Sequence, residues 1–141
     1  MRKGLGAPYG GELVDLLVPA AERAALEEEA EALPSITLDS RTESDLELLT
    51  VGGYSPLRGF MREEEYRSVV EHMVLPSGLP WSIPITLAVD ESRAGEVRPG
   101  GRVALRDRRG ELLAVMDVED VYRREKRHEA ERVYRTTDEA H

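Results

Sequence analysis

Three histidines, His72, His128 and His141, and two arginine-rich runs are the residues best suited by type to do chemistry. Imidazole can ligate a metal or move a proton near neutral pH, and guanidinium matches the geometry of sulfate and phosphate oxygens. Spacing supports neither metal binding nor acid–base work. No histidine has a second at metal-ligand spacing, and no His-Glu-Xaa-Xaa-His run occurs. His72 follows Glu71 on an amphipathic stretch, where a surface role is expected. His128 and His141 lie in charged C-terminal segments and read the same way. Arg106, Arg108 and Arg109 surround an expected hairpin turn, and Arg123, Arg124, Lys126 and Arg127 form a second cluster. Either cluster could hold an anion, but solvated turn residues are the favoured reading.

Other routes to chemistry close quickly. The chain has no cysteine, which excludes disulfides, thiolate catalysis and cysteine zinc sites. It has no GxxxxGK[ST] phosphate loop and no GxSxG elbow, and GLGAPYGG does not match GxGxxG after a strand. Paired carboxylates abound, yet they sit in helical runs or beside turns, so no acid–base pair stands out. The residues themselves therefore nominate no catalytic, cofactor-binding or metal-binding position.

The elements that would have to position such groups follow from periodicity. Pro19 opens a helix over PAAERAALEEEAEAL, with Leu26, Ala30 and Leu33 at helical spacing and acidic residues outward. ELVDLLV (12–18) before it could be strand or buried helix, and SITLD after Pro34 reads as a short strand. Ser40-Arg41-Thr42-Glu43 fits a capping box for a helix over 41–51, carrying Leu46, Leu48 and Leu49 and stopped by Gly52 or Gly53. REEEYRSVVEHMVL is a further helix burying Tyr66, Val69, Val70 and Met73.

From Trp81 the period changes to two. WSIPITLAVD sets Trp81, Ile83, Ile85, Leu87 and Val89 on one face of a strand, with Pro84 implying an edge or a bulge. RPGGR is a turn, VALRD a strand, RRGE a hairpin turn and ELLAVMDVEDVYR a long strand or two with a bend. KRHEAERVYR could form a last helix before the polar tail TTDEAH. A helical first half and a strand-rich second half predict an α+β fold with a small barrel-like sheet.

Between the second and third of these helices lies GGYSPLRGFM, a loop-like run with four large apolar residues. Pro56 restricts φ and the glycines permit turns, so Tyr54, Leu57, Phe60 and Met61 are expected to act as a packed plug.

Composition sets limits on partners. At 141 residues the chain is one domain long, and its net charge of −9 argues against nucleic acid or anionic membrane. The N-terminus lacks the apolar stretch of a secretory signal, and no window approaches a membrane span, so a cytoplasmic location is expected. Asparagine and glutamine are absent altogether and most basic residues are Arg. That suits a heat-adapted protein, although a GC-rich genome also favours Arg over Lys.

Taken in order, PYGGELVDL, ELLTVGGYSPLRGFM, WSIPITLAVD and the run from GRVALRD to TTDEAH resemble the N-terminal domain of ATP sulfurylase (sulfate adenylyltransferase). The resemblance covers nearly the whole chain. Its most specific part is Gly53-Tyr54-Ser55-Pro56-Leu57 with Gly59-Phe60-Met61, and next Trp81 with Ile83-Pro84-Ile85. Tyr9 departs from the family, which often carries His before the Gly-Gly pair.

The resemblance implies a PUA-like small β-barrel with added helices over residues 1–141. The parent enzyme makes adenosine 5′-phosphosulfate and pyrophosphate from ATP and sulfate, with magnesium on the nucleotide. A Gln-Xaa-Arg-Asn-Pro-Xaa-His motif and a further His belong to the family's next domain. With neither Gln nor Asn here, that catalytic domain is expected after residue 141. This segment is then a scaffold, inactive alone, that binds no cofactor itself and belongs to a homo-oligomer. The competing expectation is a free-standing PUA-like RNA-binding module, which would need a basic face that net −9 does not favour.

Overall fold

The computed structural model describes residues 17–123. Helix α1 spans Ala20–Ala30, with Pro19 at its N-cap position and its carbonyl accepting from Glu22 N–H at 3.0 Å. Proline suits a helix start because its missing N–H would be unpaired there anyway. The helix stops earlier than the expected 33, since residues 31–33 turn instead and Leu33 N–H bonds Ala30 C=O at 3.2 Å. Ala30 is its buried residue, Leu26 is half-buried, and the glutamate run faces solvent.

Strand β1, Ser35–Thr37, buries Ile36 and leads to the buried Leu38. Helix α2, Ser40–Thr50, starts at the residue expected to cap it. Asp39 is the N-cap, and its Oδ1 accepts from Thr42 N–H at 2.8 Å. The capping box expected of Ser40 and Glu43 is thus replaced. An Asp caps as well as a Ser, and its full charge meets the positive end of the helix dipole. Leu49 is buried, Leu46 half-buried and Leu48 exposed.

The end of α2 is set by glycine. Gly52 takes φ 85, and Gly52 N–H and Gly53 N–H bond back to the carbonyls of Leu49 (3.4 Å) and Leu48 (2.7 Å). This is a Schellman end, in which the left-handed residue is ordinarily glycine. Helix α3, Glu63–His72, buries Tyr66, Val69 and Val70 as the spacing predicts, while Met73 is half-buried at its C-cap. Glu65 Oε1 accepts from the Arg62 backbone N–H at 3.0 Å, closing the first turn.

Strands β2, Arg102–Arg106, and β3, Leu112–Asp117, form the hairpin read around RRGE. With β1 they make a three-stranded sheet in the order β1-β2-β3. The β1–β2 pair is parallel, with Ser35, Ile36 and Thr37 opposite Ala104, Leu105 and Arg106. The fold is α+β, as expected, and the described residues carry this one sheet.

Residues 81–90 are the main correction. They were expected as a strand, yet no ladder includes them, and the nearest pairing is an isolated bridge between Val74 and Pro80. Pro84 has no N–H to give, which interrupts a ladder inside the run. The alternation still sorts the side chains in part: Ile85 is buried, Trp81, Leu87 and Val89 are half-buried, and Ile83 is 45% exposed. A 3₁₀ turn, Glu91–Glu96, follows. The expected long strand over 111–123 likewise ends at Asp117. The readings of 12–16 and of a helix over 126–135 lie outside the described residues.

Among the described residues two compact units separate: those up to Phe60 with Ala104–Val115, and Met61–Val103 with those from Met116 on. The first buries Ile36, Leu38, Leu49, Leu57 and Leu105; the second buries Met61, Tyr66, Val69, Val70 and Ile85.

In the GGYSPLRGFM run, Leu57 and Met61 are buried at 3% and 4%, but Tyr54 and Phe60 are only half-buried. The packed-plug expectation therefore holds for two of its four residues. Leu57→Ala is expected to lose about 2–5 kcal/mol, and Phe60→Ala about 1–2 kcal/mol because its side chain is not fully buried. Urea melts of the two variants check this order, and a larger loss at Phe60 would contradict the assigned burial.

Candidate functional site

The arginines around the hairpin are the strongest candidates for ligand chemistry, so their geometry decides. Asp107 builds the turn. Its Oδ1 accepts from Arg109 N–H (2.8 Å) and Glu111 N–H (3.0 Å), and its carbonyl accepts from Gly110 N–H at 3.0 Å. Gly110 holds φ 87, a left-handed turn position that glycine takes without strain.

That turn separates the three arginines. Arg106 folds back, its Nε donating to Ser35 Oγ at 3.1 Å and its Nη1 to Gly110 C=O at 3.0 Å. It ties β1 to the hairpin and is half-buried. Arg108 and Arg109 are exposed.

Asp39 is the group that feels Arg108. Its carboxyl is held below the usual range, first by the hydrogen bonds from the Thr42 backbone and side chain, then by Arg108 and Arg41. Of the hairpin cluster, Arg106 thus serves the strand pair, while Arg108 and Arg109 stay at the surface. Of the second cluster, Arg123 is exposed and Arg124, Lys126 and Arg127 lie outside the described residues.

His72 is exposed, with Nε2 3.8 Å from the Glu71 carboxylate. His128 and His141 lie outside the described residues. Among the described residues, no three His, Asp or Glu side chains gather as a metal site.

The GGYSPLRGFM loop is braced internally. Tyr54 OH donates to Asp45 Oδ1 at 3.0 Å, and burial, then this hydrogen bond, raises the phenol above its ordinary value. The hydroxyl therefore remains a donor at physiological pH. Ser55 is buried at 2%, and its hydroxyl donates to Gly52 C=O at 2.6 Å. Buried hydroxyls need such partners, and this one fastens the loop to the end of α2.

Two residues that sequence reasoning passed over do similar work at α3. Asp120 Oδ2 accepts from Glu63 N–H at 2.9 Å, meeting an unpaired donor at the helix start. Tyr122 OH donates to Met61 C=O at 2.6 Å, and its ring lies 5.3 Å from that of Tyr66. No local pattern signals either contact, because the partners are more than fifty residues apart in sequence.

Comparison with known proteins supplies what the side chains do not. Residues 6–141 match the family model of the PUA-like domain. A probable bifunctional SAT/APS kinase 2 of Sorangium cellulosum is 52% identical over 99% of this chain. Sulfate adenylyltransferases of Synechococcus elongatus and Synechocystis are 47% and 45% identical over 96% of it. The chain spans 24% of the length of the first and 34% and 35% of the other two, in that order. Among solved structures, a hexameric APS kinase from Thiobacillus denitrificans aligns with TM-score 0.75 and 44% identity, over 85% of this chain and 24% of that one.

The Asp39 cap gives a pH dependence. Its folded pKa is lowered, so its contribution is complete above the unfolded value of about 3.9 and is lost as pH falls through the folded value. Asp39→Ala is expected to melt below the parent at pH 7. The gap in Tm should close on acidification, and a gap unchanged at low pH would contradict the charged cap.

Proposed function

Because the chain belongs to the PUA-like domain family, we propose that it is the N-terminal scaffold domain of a sulfate adenylyltransferase. Such an enzyme joins ATP and sulfate into adenosine 5′-phosphosulfate and pyrophosphate. One observation carries this reading: 96% of the chain matches a sulfate adenylyltransferase at 47% identity, yet spans 34% of it. The RNA-binding alternative is not favoured by these relatives, and the charge of −9 works against it.

The chemistry explains why such a domain needs a continuation. Attack of sulfate on the α-phosphorus of ATP brings several negative charges together. Catalysis requires cations and hydrogen-bond donors preset at the transition-state oxygens. The resemblance assigns them to a Gln-Xaa-Arg-Asn-Pro-Xaa-His motif and a further His in the next domain. This chain has no Gln or Asn to build that motif, and Arg106 at the hairpin is engaged with Ser35 and Gly110.

The magnesium of the reaction does not fit the described residues, which gather no metal-binding group. In this proposal it accompanies ATP in the downstream domain. No helix among the described residues is long and apolar enough to cross a membrane, and the proposed location is the cytoplasm. Self-association of the whole protein is proposed by analogy with the hexameric relative. The lack of Asn, Gln and Cys supports heat adaptation.

The test compares residues 1–141 with the same chain continued through the motif. Pyrophosphate release is measured with ATP, sulfate and magnesium. The shorter chain is expected to stay at background and the longer one to turn over. Robust turnover by the shorter chain overturns the scaffold role, and inactivity of the longer one overturns the assignment.

A further inference from the structure

Helix α3 carries four glutamates and one arginine. Arg67 is taken by Glu63 at 3.0 Å, and Arg62 reaches Glu65 and Glu119. Glu64 and Glu71 are exposed and lie about two turns apart on one face of the helix. Among the described residues no arginine or lysine pairs with either, and Glu71 has only His72 at 3.8 Å.

An apolar surface adjoins the C-terminal end of that helix. Met73 holds φ 56, a left-handed conformation that ordinarily goes to glycine, and its side chain is half-buried. Its carbonyl accepts from Trp81 N–H at 2.8 Å, and the indole Nε1–H donates to Ile83 C=O at 3.0 Å. That bond fixes the half-buried ring beside Ile83, which is 45% exposed. A large side chain kept where glycine is favoured, next to a pinned indole and an exposed isoleucine, is a surface prepared for contact. All of these residues lie in the unit of Met61–Val103.

The chain itself supplies the complement. Tyr122 is fastened to the same unit by its OH, which donates to Met61 C=O at 2.6 Å, and by its ring against Tyr66. The residues that follow, Arg123-Arg124-Glu125-Lys126-Arg127, carry four cations and one acid, and Val133-Tyr134 is an apolar pair beyond them. The family model runs on through residue 141, so this run belongs to the domain itself. The lengths agree as well. Tyr66 to Met73 is about 10 Å along a helix, and even at helical rise residues 124–134 cover about 15 Å.

We propose that residues 124–134 dock along α3, with Arg124, Lys126 and Arg127 facing Glu64 and Glu71, and Val133 and Tyr134 on Met73, Trp81 and Ile83. Exposed ion pairs add little affinity, so the apolar pair supplies most of the attachment and the charges set its direction. The inference does not rest on the reaction proposed above.

Trp81 is the chain's single tryptophan and reports on this surface directly. In residues 1–141, Val133→Asp combined with Tyr134→Asp is expected to raise acrylamide quenching of Trp81 about twofold and to shift its emission to the red, as the covering side chains leave the ring. A second variant changes only exposed positions, so that folding is spared. Glu64→Lys combined with Glu71→Lys is expected to raise quenching in the same sense by repelling the basic run, with a cooperative melt retained. Glu27→Lys combined with Glu28→Lys makes the same change of charge on the exposed face of α1 and should leave quenching at the parental level.

Quenching unchanged by either the Val133 and Tyr134 substitutions or the α3 substitutions would overturn the proposal, as would an equal response to the α1 control. Parental quenching that rises on dilution would put a second copy on the surface instead, and would overturn it too.

Discussion

Strand β2 is the constraint on which the sheet depends. It lies between β1 and β3, and Val103, Ala104 and Leu105 are buried one after another. Side chains alternate between faces along a strand, so three successive buried residues require cover on both sides. The backbone is held as firmly. Ala104 N–H bonds Pro34 C=O at 2.9 Å, and Leu38 N–H bonds Arg106 C=O at 2.8 Å. A parallel neighbour cannot be reached by a tight turn, so β1 arrives from a distant part of the chain. Arg106 secures the same junction with its side chain.

Much of this was legible in the sequence where the cause is local. Pro19, the Gly52 stop and the Tyr66-Val69-Val70 spacing announce helices that the structure contains. The hairpin around Arg108-Arg109-Gly110 was readable too, because a turn is decided by its own residues. The cap of α2 was misplaced by one position, since Asp39 and Ser40 are adjacent residues of similar capping strength. What failed is tertiary. Alternation in WSIPITLAVD signals a face, but whether a ladder forms depends on a partner edge and on an N–H group that Pro84 lacks.

The candidate site shows the same division. Guanidinium groups were visible as possible anion ligands, yet Arg106 is spent on Ser35 and Gly110. Its partner at Ser35 is seventy-one residues away, beyond any motif. Tyr54 and Ser55 looked like parts of a specified loop, and their hydroxyls do tie it down, to Asp45 and Gly52. Family membership came from the order of such structural segments across the chain rather than from any reacting group.

The proline inside 81–90 bears on the hazards of synthesis. The run is rich in β-branched and aromatic residues, and 81–89 contains no charge. Such a segment, released from a ribosome before its neighbours have closed over it, is the kind that stacks with copies of itself into cross-β fibrils. Pro84 sits in the middle of that window and denies a fibril one of its repeating hydrogen bonds. Asp90 and Glu91 close the window with charge that would accumulate unfavourably in stacked copies. The feature that cost the domain a strand thus also acts as a gatekeeper against self-templated aggregation.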